Sequence, residues 1–161
     1  MIFVITGTER YSFDRFVKEV VALKNNGILK EDLYFQLGSC TYEPDFPFDR
    51  FIPFGNMIEN IDKASMVIAH AGAGTTLLCL QQKKRPVLVT RRAKHKEHVD
   101  DHQVPFAENM DKLGYAHVAY EVEDLGNVIN NIQQKKDTSK IKKDNTAIVD
   151  YLNSWIKYTE K

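Results

Sequence analysis

A histidine followed by a loop of small residues is the part of this chain best suited to chemistry. The apolar run Met66 to Ala69 leads into His70, and an apolar helical segment starts at Leu77 after the small residues. Backbone N–H groups at a helix start have no partner within the helix, and the helix dipole adds positive potential there. The pattern therefore predicts a phosphate or diphosphate site at Gly72, Ala73, Gly74, Thr75 and Thr76.

The spacing of this loop separates it from two common nucleotide-binding motifs. The loop lacks the G-x-G-x-x-G pattern and the lysine of a P-loop, so it indicates an anion at a helix start rather than NAD or ATP. A tight strand-to-helix turn that needs glycine for its geometry explains the same residues. His70 is a candidate for a catalytic base, although a histidine at a strand end more often holds the scaffold through hydrogen bonds.

A second segment, 91–103, is dense in charged side chains and contains three of the five histidines. One interpretation is a metal site, in which His98 and His102 share one helix face and Asp101 supplies a third ligand. The metalloprotease pattern H-E-x-x-H is absent, because Glu97 directly precedes His98.

The same segment also fits recognition of a sugar or a nucleotide. His102 and Gln103 would project hydrogen-bonding groups from a helix start, and Arg91, Arg92 or Lys94 would offset phosphate charge. The remaining alternative is a solvated surface loop, which is the usual place of charged runs and suits Arg92, Lys94 and Lys96.

Apolar strand patterns alternate with helical patterns along the chain. Strands are predicted at 2–6, 33–37, 66–70, 86–90 and 116–120, with a short strand or extended turn at 51–54. Helices are predicted near 13–23, 57–64, 75–82, 104–113 and 122–132. This order predicts an α/β fold, a Rossmann-like parallel sheet with helices on both faces.

Glycine or polar residues follow several of these strands and would meet at one edge of the sheet. Ligands of parallel sheets bind at that edge, so Gly7 and Thr8 are predicted to join the site. The rest of the single domain, 1–161, is predicted to contain a polar linker at 133–145 and an amphipathic helix at 146–158. The apolar stripe of that helix either packs on its own sheet or, through Trp155 and Tyr158, contacts a partner.

Composition excludes several classes of function. Lys plus Arg and Asp plus Glu both number 22, so the chain lacks the basic excess expected of a protein that binds nucleic acid. Cys40 and Cys79 form no C-x-x-C pair, which favours a reduced, cytosolic compartment. No signal peptide and no apolar run of about 20 residues is visible, so any membrane contact is predicted to be peripheral or through a partner.

Several motifs resemble, in order, the C-terminal, donor-binding half of the family 28 glycosyltransferases. They are VITGT at 4–8 with FDR at 13–15, QLGS at 36–39, ASMVIAHAGAGT at 64–75, RPVLV at 85–89 and EHVDDHQ at 97–103. The most similar subgroup comprises short single-domain chains. One branch is the catalytic subunit of the UDP-N-acetylglucosamine transferase of asparagine-linked glycosylation. The other is the small subunit of bacterial exopolysaccharide and capsule glycosyltransferases, which the segment 91–103 favours.

The resemblance implies half of a GT-B fold that binds a UDP-sugar and needs no metal or other cofactor. By position, Phe54 would lie beside the uracil through its backbone, the loop 72–76 would face the diphosphate, and His102 and Gln103 would face the sugar or ribose. Many relatives carry an acidic residue for the ribose hydroxyls where this chain has Leu78, so that contact is missing or supplied elsewhere. The donor-binding residues are thus predicted to be Gly7, Thr8, Phe54, His70, Gly72, Ala73, Gly74, Thr75, Thr76, Arg91, His102 and Gln103.

The resulting hypothesis is the donor-binding subunit of a two-component inverting glycosyltransferase. The subunit would transfer a sugar from a UDP-sugar to a lipid-linked acceptor in polysaccharide biosynthesis. Larger relatives carry an acceptor-binding domain before this one, so a membrane-anchored partner subunit is expected to supply it, and the chain is expected to be cytoplasmic and peripheral to the membrane. The alternatives are a non-catalytic regulatory protein that binds a nucleotide-sugar and a metal hydrolase.

Overall fold

The computed structural model describes residues 1–135, 146, 148–150 and 152. The elements are β1 (Ile2–Ile5), α1 (Asp14–Asn25), β2 (Leu33–Gln36), β3 (Phe48–Asp49), α2 (Phe54–Lys63), β4 (Met66–His70), α3 (Ala73–Gln81), β5 (Val87–Val89), α4 (Gln103–Lys112), β6 (His117–Ala119) and α5 (Leu125–Gln134). Short 3₁₀ turns span Ala93–His95 and Val122–Asp124.

The six strands form one sheet in the order β3-β2-β1-β4-β5-β6, and every neighbouring pair is parallel. Ile5 is level with Gln36 on one side and with Ala69 on the other, so β1, β2 and β4 end at the same edge. The chain order reverses between β1 and β4, and this reversal opens a crevice beyond the carboxyl ends of those two strands. The predicted α/β parallel sheet is confirmed.

Helices cover both faces of the sheet because both faces are apolar. Ile2 and Val4 point into the core layer beneath α1 and α5, whereas Phe3 and Ile5 point into the layer beneath α2, α3 and α4. All four side chains are almost fully buried. Strands buried on both faces carry continuous apolar runs, which is why β1 lacks the alternation of a half-exposed strand.

Residues 51–54 were predicted to form a short strand or an extended turn, and the strand prediction is wrong. The strand lies earlier, at Phe48–Asp49, where it pairs with Phe35 and Gln36. Phe54 instead begins α2, directly after Pro53, whose φ of −54° suits the position before a helix. A two-residue strand shows no periodicity, and its pairing is set by β2 rather than by its own sequence.

The end of the chain is described only in part. Helix α5 continues to Gln134, two residues into the predicted linker, and residues 136–145 lie outside the described part. Residues 146, 148–150 and 152 are helical, and Ile148 and Leu152 are buried in the core layer of α2, α3 and α4. Trp155 and Tyr158, the predicted partner contacts, lie outside the described residues. None of the described helices has the length and apolar character needed to cross a bilayer.

Candidate functional site

A cleft of about 720 Å³ lies at the carboxyl ends of β1 and β4, at the crevice created by the strand order. The loop after β1, the turn before α2, the loop between β4 and α3 and the start of α4 all contribute to it. The lining residues are Ile5, Gly7, Thr8, Glu9, Gln36, Phe51, Ile52, Phe54, Met57, His70, Ala71, Gly72, Ala73, Gly74, Thr75, Leu78, His98, His102 and Gln103. Ten of the twelve predicted donor-binding residues therefore come together here; Thr76 and Arg91 do not line the cleft.

The imidazole of His70 is wedged between two glycines. A Cβ atom on Gly7 would lie 2.5 Å from the Cε1 atom of His70, and a Cβ on Gly72 would lie 2.2 Å from its Nε2 atom. Real Cβ atoms essentially never come so close, so these two glycines are needed to seat the histidine. Gly74 differs, since a Cβ there would meet nothing within 4 Å. Its backbone faces open space, as a position for ligand approach requires.

Burial changes the chemistry of His70. Desolvation, helped by the nearby positive charge of Arg91, lowers the pKa of His70 from 6.5 to about 3. The imidazole is therefore neutral at physiological pH, and its Nδ1 atom has no hydrogen-bond partner among the described residues. A general base works best with a pKa near the working pH. His70 is consequently suited to a neutral hydrogen bond and is a weak proton acceptor.

Helix α3 presents its positive end to the cleft. Its cap, Gly72, has an extended backbone, and the first intrahelical bond runs from the Thr76 N–H to the Gly72 carbonyl at 3.0 Å. The N–H groups of Ala73, Gly74 and Thr75 precede that bond and have no acceptor within the helix. The first turn carries no acidic residue to offset the dipole. The Thr76 side chain is buried, and its hydroxyl donates to the Gly72 carbonyl at 2.9 Å, so it stabilises the turn from inside.

Gln36 is a site residue that the sequence analysis did not select. Its amide Nε2 donates to the carbonyls of Gly7 at 3.0 Å and Arg50 at 2.9 Å, while its Oε1 accepts the Gly7 N–H at 2.9 Å. These bonds fix the loop after β1 against the turn that leads to α2. The sequence signal that could have identified Gln36 is a polar residue at the end of an otherwise apolar strand.

Arg91 lies beneath the cleft, with a side chain that is 1% exposed. Its guanidinium donates to the carbonyls of Thr6 at 2.6 Å, Tyr11 at 2.9 Å and Glu97 at 3.0 Å. It also stacks over the Phe13 ring, 4.7 Å from the centroid. The expectation that Arg91 would face phosphate is corrected, because its hydrogen bonds go to three carbonyls of the protein.

The segment 91–103 is held more firmly than a solvated loop would be. The buried Glu97 carboxylate accepts Arg15 Nε at 3.0 Å and the Arg92 N–H at 3.0 Å. Gln103, also buried, accepts the Arg91 N–H through Oε1 at 3.1 Å. Of the cations expected to be solvated, Lys94 and Lys96 are exposed, whereas Arg92 is largely covered and pairs with Glu121.

Two of the three histidines of this segment, His98 and His102, converge at the cleft, but with a different carboxylate from the one predicted. The rings of His98 and His102 are 4.5 Å apart, and Asp100 contacts both. Asp101, the predicted third ligand, instead accepts the Ala93 N–H at 2.8 Å. The prediction assumed helical spacing, whereas α4 begins only at Gln103. Burial and the adjacent His102 hold the pKa of His98 below its usual value.

The cleft has an apolar lip beside α3. Phe51 and Phe54 are 61% and 67% exposed, and Ile52 and Met57 line the cleft next to them. We call the exposed Phe54, Gly74 and His102, together with the largely covered His98 beside them, the mouth of the cleft. The buried polar residues Gln36, His70 and Gln103, supported from below by Arg91, form its floor. The mouth offers an exposed aromatic edge, an open helix end and imidazole nitrogens, which together suit a nucleotide diphosphate with a polar substituent.

Comparisons with known proteins identify the family and the fold of the chain. The model of the glycosyltransferase family 28 C-terminal domain matches residues 1–153. The chain is 35% identical over 81 residues, half of its length, to the UDP-N-acetylglucosamine transferase subunit ALG13 of Candida albicans. It is 32% identical over 123 residues, 70% of its length, to the protein of the same name from Mus musculus. It spans only 25% and 10%, respectively, of those relatives.

Two solved structures share the fold at 14% sequence identity. The glycotransferase of kitacinnamycin superposes with a TM-score of 0.59 over 95% of this chain and 37% of its own. The glycosyltransferase SnogD from Streptomyces nogalater superposes with a TM-score of 0.53 over 98% of this chain and 43% of its own. The predicted Rossmann-like half of a GT-B fold is confirmed. Because the family model extends over nearly the whole chain, the protein belongs to the glycosyltransferase family 28 C-terminal domain family.

Proposed function

We propose that the chain is the donor-binding subunit of an inverting glycosyltransferase that transfers a sugar from a UDP-sugar to a lipid-linked acceptor. The observation that carries the proposal is the open start of α3 in the cleft, where Gly74 leaves room beside three N–H groups. Family membership and the names of the relatives agree with it.

The diphosphate would lie on the N–H groups of Ala73, Gly74 and Thr75. Those groups and the dipole of α3 supply positive potential without a cation, so we propose that the transfer requires no metal. The uracil would lie beside the Phe54 backbone, and the sugar or ribose beside His102 and Gln103. The carboxylate among the lining residues is that of Glu9, which is the group available for the ribose contact that Leu78 cannot make.

In the reaction, the acceptor hydroxyl would attack the anomeric carbon from the side opposite the UDP. The carbon–oxygen bond to the diphosphate breaks, and the helix start stabilises the charge that develops on the leaving UDP. The hydroxyl proton passes to a base. His70, with a pKa of about 3, is poorly matched to that task, which favours a base on a partner chain.

The partner would be a membrane-anchored subunit that binds the acceptor. Both curated relatives are named as subunits. We propose a cytoplasmic location, peripheral to the membrane through that partner, and a role in exopolysaccharide or capsule biosynthesis. The alternative function is a non-catalytic regulatory protein that binds a nucleotide-sugar, which the low pKa of His70 would suit.

Binding and transfer measurements separate these functions. We expect UDP and one UDP-sugar of a panel to bind the chain with a chelator present, and sugar transfer to a lipid-linked acceptor to appear when the partner subunit is added. Binding without transfer would favour the regulatory function. Failure to bind UDP or any UDP-sugar would contradict both, and loss of binding on chelation would contradict metal independence.

A further inference from the structure

His98, Asp100 and His102 form a compact cluster at the mouth of the cleft. Their potential ligand atoms all lie within 4.8 Å of one another. The Nδ1 atom of His98 lies 3.6 Å from one carboxylate oxygen of Asp100, and Nδ1 of His102 contacts the same oxygen. Two imidazoles and one carboxylate thus face a common point.

Residues within and beside this segment fix the backbone of the cluster. Glu97 is tied to Arg15, Asp101 accepts the Ala93 N–H, and Gln103 accepts the Arg91 N–H. Residues 97, 101 and 103 therefore anchor the segment to the protein. The side chains of 98, 100 and 102 contact one another instead.

We propose that His98, Asp100 and His102 form a binding site for a divalent transition-metal cation of the zinc type. Imidazole nitrogen and carboxylate oxygen are typical zinc ligands, and three protein ligands leave the fourth tetrahedral position open. Bonds of about 2.0–2.1 Å require ligand atoms roughly 3.3 Å apart. The exposed Asp100 and His102 side chains have the freedom to close the remaining gap of up to about 1.5 Å.

The open position would face the cleft, since His98 and His102 both line it. Water would fill that position, and the proposed donor binding does not require the ion. The inference does not depend on the proposed transfer reaction, because zinc binding is measured without donor or acceptor. Magnesium prefers oxygen ligands and is not expected to bind two imidazoles.

The test is a calorimetric titration of the tag-free full chain with Zn²⁺, with Mg²⁺ as the hard-cation control. All five histidines are among the described residues, and both cysteines are buried, so competing ligands are few. We expect one Zn²⁺ per chain, binding at least tenfold more weakly to His102→Ala and to Asp100→Asn. His95→Ala, which changes an exposed histidine of the same segment outside the cluster, should bind like the wild type.

Thermal unfolding without zinc checks that the variants are folded, and their exposed positions predict transitions close to that of the wild type. Two results would overturn the proposal. One is a wild-type chain that shows no saturable Zn²⁺ binding. The other is folded His102→Ala and Asp100→Asn variants that bind Zn²⁺ as tightly as the wild type does.

Discussion

In the floor of the cleft, Gln36, Arg91 and Gln103 bond to the protein, whereas most groups of the mouth are open to solvent. Gln36 and Arg91 direct their hydrogen bonds to backbone carbonyls of distant loops. Gly74 and His102 lie at the exposed surface of the same site. A polar residue in a cleft is therefore not necessarily a ligand contact. Whether it is available to a ligand depends on the hydrogen bonds that it already makes to the protein.

This comparison predicts that changes in the floor reduce stability, while changes in the mouth reduce binding. The largest effect is expected for Arg91→Met. It removes the donor for three carbonyls, and each buried polar group left without a partner costs about 1–3 kcal/mol. We expect the free energy of unfolding in urea to fall by about 3 kcal/mol or more. Arg92→Met is the matched control, and equal losses for both variants would contradict the assignment of Arg91 to the floor.

The close contact between His70 and Gly72 can be tested by a double-mutant cycle. Gly72→Ala places a Cβ against the imidazole without backbone strain, because the φ of Gly72 is −89°. Such overpacking costs about 1–3 kcal/mol. In a His70→Ala background the same substitution should cost clearly less, as measured by a double-mutant cycle of urea unfolding. Additive losses would show that His70 and Gly72 are not in contact.

The protonation of His70 makes the free energy of unfolding depend on pH. The unfolded chain takes up a proton near pH 6.5, whereas the folded chain does so only near the pKa of about 3. Between these values the unfolded state binds more protons, so stability falls as pH falls. One proton corresponds to about 1.4 kcal/mol per pH unit. The slope of unfolding free energy between pH 6 and 4 should be smaller by about that amount in His70→Gln, and an unchanged slope would contradict the neutral, buried imidazole.

His102 is expected to give the smallest effect and one confined to binding. Loss of one hydrogen bond costs about 0.5–1.5 kcal/mol, so His102→Ala should weaken UDP-sugar binding roughly 2- to 12-fold while UDP binding changes less. The exposed side chain predicts little change in unfolding. Equal losses of affinity for UDP and for the UDP-sugar would indicate that His102 contacts the nucleotide rather than the sugar.

The sheet was predictable because its strands are buried on both faces and carry unbroken apolar runs. The place of the small-residue loop 72–76 at the start of α3 was predictable because an apolar strand pattern precedes it and an apolar helical pattern follows it, and its contact with a diphosphate stays a prediction. Arg91 was misplaced because its partners, the carbonyls of Thr6, Tyr11 and Glu97, are set by tertiary folding rather than by local sequence. Gln36 escaped attention for the same reason, since it bonds to Gly7 across two strands.

The central claim is that Gly74 leaves room for a diphosphate at the start of α3. Gly74 and Gly55 are both the second residue of a helix, both are exposed, and a Cβ at either would meet nothing within 4 Å. Gly74 lines the cleft and Gly55 does not. Calorimetry with UDP should therefore show no binding by Gly74→Val and wild-type affinity for Gly55→Val, with cooperative unfolding in both. A folded Gly74→Val variant that binds UDP as tightly as the wild type would contradict the account.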